Sequence, residues 1–308
     1  MLIDRSQKPQ PIRQRQVYTL DEEPPNLRGL LFMQNKDATV EVLRYSGESD
    51  PDTPPDIPEE AVTKHGVFIS VDGIGQDWNT HRTQIRDWFH GGAEFGVELP
   101  GPVVGIHEGE GKSTVHDVVR VLKNTAYIKA LQSERFDLST VRDKAYKNDP
   151  SVKTIYDQLQ QSLRVGRQVT FMTHSGGASQ VALALALAAV EGGEETRAAI
   201  AEEVRFLGTA PAGHRKDVEW AGVKPDNIMI TGSQRDPVYR FFRNHLHHAH
   251  PSTFFKFVFD GVGAAVKFAF QPGPFHQGEY IFAHNQTEGR HKIADFLEGG
   301  VGKDSPLP

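Results

Sequence analysis

The 308-residue sequence contains no cysteine. Disulfides, thiolate metal sites and cysteine nucleophiles are therefore excluded. No apolar run approaches the roughly 18 residues that a membrane-crossing helix requires. An excess of positive charge is also missing, since 34 Lys and Arg face 40 Asp and Glu for a net charge of −6. With a pI near 6.2, the chain offers no global field for nucleic acid. Met1 to Gln16 carries Arg5, Lys8, Arg13 and Arg15 among polar residues and lacks the apolar segment of a signal peptide. It reads as a solvated arm. A cytoplasmic location is expected, although the absence of cysteine fits an oxidising compartment equally well.

Apolar material is present in quantity. Hydrophobic residues make up 38% of the chain, enough for one large domain over 27–300, between an arm at 1–26 and a frayed tail at 301–308. The runs Leu27–Met33 and Thr39–Tyr45 flank Asn35-Lys36-Asp37 and predict an N-terminal β-hairpin. Ser46–Glu60 is acidic and holds Pro51, Pro54, Pro55 and Pro58, so it is expected as an exposed loop. Short apolar runs at Gly66–Val71, Val103–Ile106, Val204–Gly208, Asn227–Gly232 and Glu279–Ala283 predict buried strands,. Helices are expected over Val115–Leu131, over Ser151–Leu163 with Ser151 as N-cap, and over Lys292–Glu298,. Strands alternating with helices give an α/β class: a mostly parallel central sheet with helices on both faces.

One stretch stands apart. Gln168–Met172 reads as a buried strand, and the uncharged run from Ala178 to Leu185 reads as a buried helix,. Thr173-His174-Ser175-Gly176-Gly177 lies between them. A serine therefore sits where a strand must reverse sharply into a helix, a place that demands small residues and a strained backbone. Taken alone, this is either a turn joining two core elements or a site.

The pattern resembles the nucleophile elbow of the α/β-hydrolase superfamily, written G-x-S-x-G, with Thr173 in place of the first glycine,. That resemblance implies Ser175 as nucleophile and a chain order of serine, acid, histidine, each at the carboxyl end of a strand. Asp236 follows the run Asn227–Gly232 and matches the acid; His284 follows Glu279–Ala283 and matches the histidine. His276 and His291 compete with His284 for that role. The loop after the third strand supplies an oxyanion N–H in this superfamily, which points to Ile74 or Gly75 within Asp72-Gly73-Ile74-Gly75, alongside Gly176,. Asp72 stands where many members have His. The implied activity is hydrolysis of a carboxylic ester, or lipid-like substrate, with an apolar acyl group, through an acyl-enzyme and without a cofactor. A thioesterase or acyltransferase, or a non-catalytic binding protein on the same fold, are the alternatives.

Three further features were weighed. Glu108-Gly109-Glu110-Gly111-Lys112-Ser113 suggests a phosphate loop, but five residues separate Gly105 from Gly111 and two glutamates occupy the phosphate's place,. His245-Leu246-His247-His248-Ala249-His250 offers metal ligands, yet neighbouring side chains diverge and no carboxylate completes a set,; no metal site is expected. Nine of the eighteen phenylalanines fall within 241–275, which makes that segment either core or an acyl-chain wall. His174 is expected as a packed elbow residue rather than the general base. Oligomeric state is not legible.

Overall fold

The computed structural model describes residues 16–19, 22–24, 27, 29–44, 57–73, 76–95, 99, 101–109, 114–133, 136–209, 212–233, 293, 295–297, 299–300, 302 and 305–307. In chain order the strands are β1 (Gln16–Tyr18), β2 (Leu30–Gln34), β3 (Val40–Arg44), β4 (Val67–Val71), β5 (Val103–His107), β6 (Val169–His174), β7 (Val204–Thr209), β8 (Ile228–Ser233) and β9 (Ser305–Leu307). The helices are α1 (Trp78–Phe95), α2 (Thr114–Gln132), α3 (Leu138–Asn148), α4 (Pro150–Arg164), α5 (Gly177–Glu203) and α6 (Arg215–Trp220).

These strands form one sheet in the order β1-β3-β2-β5-β4-β6-β7-β8-β9. Pairing is parallel from β5 across β4, β6, β7 and β8 to β9. It is antiparallel among β1, β2 and β3 and where β2 meets β5. The class is thus α/β with a mostly parallel, mixed sheet. From β4 the chain travels through α1 to β5 on one side, then through α2, α3 and α4 to β6 on the other. That reversal makes the carboxyl end of β4 a topological switch point, where a crevice opens in sheets of this kind.

Alternation along each strand splits the apolar residues into two clusters. Val67, Ile69 and Val71 of β4, Phe171 of β6 and Phe206 of β7 pack with Ile128, Ile155, Leu159 and the α5 residues Val181–Ala189. Phe68, Met172, Leu207 and Met229 pack instead with Trp78, Ile85, Phe89 and Phe296. The α5 run from Gly177 to Ala189 is buried on every side, the reason no polar residue but Ser179 and Gln180 interrupts it.

Several boundaries differ from expectation. Asp149, not Ser151, is the N-cap of α4, with Pro150 in the first turn; proline fits there because that N–H has no helical partner. Gly193 kinks α5 at φ 61°, and helix resumes to Glu203, well beyond the apolar run. Ser305–Leu307, expected as a free tail, pairs with Thr231–Ser233. The long helices α1 and α3 were not anticipated. The phenylalanine-rich segment, His245 to His250, Glu279–Ala283 and Glu110–Ser113 lie outside the described residues.

Gly105 shows how tightly β5 packs. A Cβ there would lie 2.1 Å from Phe32 Cζ, a ring buried at the sheet centre. Gly105→Ala is expected to destabilise the fold by about 1–3 kcal/mol through overpacking, read as a lower urea midpoint. An unchanged midpoint would mean that the ring swings aside without cost.

Candidate functional site

The turn from β6 to α5 is built around Ser175, whose φ is 45°. A non-glycine residue in this left-handed region carries strain of about 1–3 kcal/mol. Two hydrogen bonds hold it there: Ser175 N–H donates to Thr209 O at 3.1 Å, and Ala212 N–H donates to Ser175 O at 2.8 Å. Gly177 is obligatory for a separate reason. A Cβ on it would meet Asp72 O at 2.4 Å and Val71 O at 2.6 Å, so only glycine lets α5 start so close to β4. Thr173, which departs from the superfamily pattern, is accommodated because its hydroxyl donates to Leu207 O at 3.1 Å. Ser175 itself is only partly buried, whereas its neighbours from Val169 to His174 are buried. Among the described residues, none accepts the Gly176 N–H and none hydrogen-bonds to Ser175 Oγ.

The loop leaving β4 lies against this turn. A Cβ built on Gly73 would come within 2.8 Å of His174 Nδ1 and 3.0 Å of Ser175 Cβ. Gln76 closes the loop, its Oε1 accepting the Gly73 N–H at 2.8 Å. Asp72 is fully buried. Its Oδ1 accepts the Glu108 N–H at 2.9 Å, and its Oδ2 touches His107 Nδ1 and lies 3.6 Å from His81 Nδ1. His107 is the last residue of β5, and His81 sits one turn into α1. His81 Nε2 in turn meets Ser70 Oγ at 3.1 Å. Burial pushes the imidazoles of His81 and His174 down to about 4, against the partial upward pull of Asp72,.

A second buried network lies beside the first. Glu108 pairs with Arg120, which also reaches Asp117 at 2.9 Å. Gln180, in the first turns of α5, donates to Glu108 Oε2 at 2.7 Å and to Asp149 Oδ2 at 3.0 Å. Asn124 donates to the same Asp149 oxygen at 3.0 Å. Asp149 makes no side-chain cap to the helix it starts, because its carboxylate is engaged here. The network ties α2, α4 and α5 to the end of β5.

Of the residues singled out in the sequence, Ser175 and Gly176 stand at the elbow, at the carboxyl edge of the sheet. Asp236, His284, Ile74 and Gly75 lie outside the described residues, as do His276 and His291. The sequence reading passed over His81, His107, Asp149 and Gln180, and took Glu108 only as an obstacle to a phosphate. A signal existed: His107-Glu108 directly follows an apolar strand, as Asp72 and His174 do in their own strands. Comparison of the chain with known protein families, curated proteins and solved structures returns no match.

The two depressed histidines set an acid limit. Unfolded, each titrates near the ordinary 6.5; folded, near 4. As pH falls from about 6.5 to about 4, the unfolded chain binds protons that the folded chain refuses, so stability declines. Each histidine contributes a slope of at most about 1.4 kcal/mol per pH unit in that window. Urea midpoints at pH 7 and pH 4.5 are expected to diverge less in His174→Asn than in the parent. Equal divergence would mean His174 protonates freely in the folded chain.

Proposed function

We propose that this chain is a serine hydrolase of α/β-hydrolase type, cleaving a carboxylic ester with an apolar acyl group through an acyl-enzyme. The observation that carries the reading is Ser175 at φ 45° between a buried strand and a buried helix. Strain of this kind persists where a reactive side chain must be held out from the backbone. In the proposal Ser175 Oγ attacks the carbonyl, His284 takes the proton and returns it to the leaving alcohol, and Asp236 holds His284 in its tautomer. Asp236 comes shortly after Ser233, the last residue of β8, in keeping with an acid at a strand's carboxyl end. The antiparallel pairing of β2 with β3 and the two apolar clusters support the finer architecture, an N-terminal hairpin and helices on both faces of the sheet.

The tetrahedral oxyanion would be held by the Gly176 N–H and an N–H of Ile74 or Gly75, each donor contributing about 3 kcal/mol. The proximity of Gly73 to Ser175 supports this loop as the second donor. No residue of the set calls for a cofactor. Substrates are small-molecule or lipid-like esters, and a cytoplasmic location belongs to the same proposal.

A fluorophosphonate probe is expected to add one adduct to the folded chain, seen by intact mass, and none to Ser175→Ala. Labelling that persists in Ser175→Ala overturns the assignment. A non-catalytic binding protein is the second reading, favoured by Thr173 in place of glycine and Asp72 in place of histidine; a folded parent that refuses the probe decides for it. If p-nitrophenyl esters are cleaved, Phe255→Trp or Phe259→Trp is expected to shift preference toward shorter acyl chains, since each buried methylene contributes about 0.8 kcal/mol. An unchanged chain-length profile places both rings in the core.

A further inference from the structure

Three donor atoms converge behind the elbow: Asp72 Oδ2, His81 Nδ1 and His107 Nδ1, all within 4.8 Å of one another and all fully buried. The two Nδ1 atoms face each other at 3.4 Å, and Asp72 Oδ2 lies 3.6 Å from His81 Nδ1. A tetrahedral zinc with bonds of about 2.0 Å separates its ligands by about 3.3 Å. These two edges match; the third, between Asp72 Oδ2 and His107 Nδ1, is a closer contact that must open by a small side-chain shift to admit an ion. We infer that Asp72, His81 and His107 form a binding site for a divalent transition ion, zinc by donor chemistry.

The protons argue for a cation. Asp72 Oδ2 makes no hydrogen bond of regular geometry although an imidazole nitrogen touches it. With both imidazoles protonated on Nε2, three lone pairs converge here; an ion accepts all three at once, and any proton held between them leaves to solvent on binding. The surroundings at Asp72 and His81 are those of a metal shell, while His107 Nε2 is buried with no partner among the described residues,. Ser70 Oγ lies 3.1 Å from His81 Nε2; when it accepts the Nε2–H, the Nδ1 lone pair is left facing inward. The Glu108 N–H does the same for the carboxylate through Oδ1. Phe32 and Trp78 pack edge-on around the imidazoles, with centroids 5.4 Å from His81 and 5.6 Å from His107. Two imidazoles and one carboxylate suit zinc better than calcium or magnesium, which prefer all-oxygen sets. Three protein donors leave the fourth position to a water. The ion's place is structural: it fixes Asp72, and with it the Gly73 loop, against β5.

The site does not depend on Ser175 being a nucleophile, and its test is separate from labelling. The purified full chain, equilibrated with zinc sulfate and freed of excess, is expected to retain about one zinc per chain by inductively coupled plasma mass spectrometry. Replacing His245, His247, His248 and His250 together with Ala is expected to leave that ion in place. His81→Gln and His107→Gln are expected to lose it. Should either fail to fold, two measurements remain. Ser70→Ala removes only a supporting hydroxyl and is expected to weaken zinc about tenfold to hundredfold in competition with a chelating dye. Cobalt(II) in the parent chain is expected to give the intense visible bands of a tetrahedral ion. A parent chain that retains no ion overturns the site and leaves the trio a proton-sharing network. Zinc that vanishes with the His245–His250 replacement, yet withstands His81→Gln or Ser70→Ala, overturns it as well.

Discussion

The start of α5 rests on a contact with no room for one more carbon atom. Gly177 lies against the carbonyls of Val71 and Asp72, and this approach of helix to strand end dictates what surrounds it. To begin the helix so low against the sheet, the chain must reverse within Ser175 and Gly176, and Ser175 takes a φ of 45°. The cost, about 1–3 kcal/mol, is offset nearby. Val181 to Ala189 are almost wholly buried, and each buried Leu or Val contributes about 1.5–3 kcal/mol. The two backbone hydrogen bonds at Ser175 reach β7 and the chain just beyond it. The elbow is therefore clamped between two neighbouring strands and cannot relax by itself.

A second constraint comes from the strand ends. Asp72, His107 and His174 close β4, β5 and β6, three adjacent parallel strands, so their polar side chains fall into one layer at one edge of the sheet. Buried polar groups must find partners or cost free energy. Helix residues supply several of them: His81 from α1, Arg120 from α2 and Gln180 from α5. Asp149 is drawn into the same layer and gives up its capping role. Removing one member would strand a buried charge, which is more damaging than losing the bond itself.

Much of the frame was legible because burial leaves a periodic trace. Continuous apolar runs located β4, β6, β7 and β8 to within a residue or two, since strands covered on both faces have no polar alternation to confuse the reading. The sharp turn at Ser175 was legible because Ser-Gly-Gly falls between a β-branched run and an Ala/Leu run. Helix α1 was missed for a physical reason: it carries Asn79, Thr80, His81, Arg82 and Gln84 in its first turns. Among these His81, Arg82 and Gln84 are buried, so polar residues interrupt the inward face that Trp78, Ile85 and Phe89 present to the core,. The same inversion hid the trio. Its members are 9 and 26 residues apart along the chain and become neighbours through the crossover from β4 by way of α1 to β5, which no local spacing encodes.

Asp72 joins these two constraints. Its backbone carbonyl touches the position that must be Gly177, its Oδ1 accepts the first N–H beyond β5, and its Oδ2 faces His81 and His107. One residue thus sets the height of the elbow helix and the spacing between the ends of β4 and β5. Close-packed interiors transmit displacement instead of absorbing it. A change in what Oδ2 binds must therefore reach Gly73, which lies against His174 and Ser175. Asp72 thereby couples the surroundings of its carboxylate to the turn at Ser175 without touching the serine's hydroxyl.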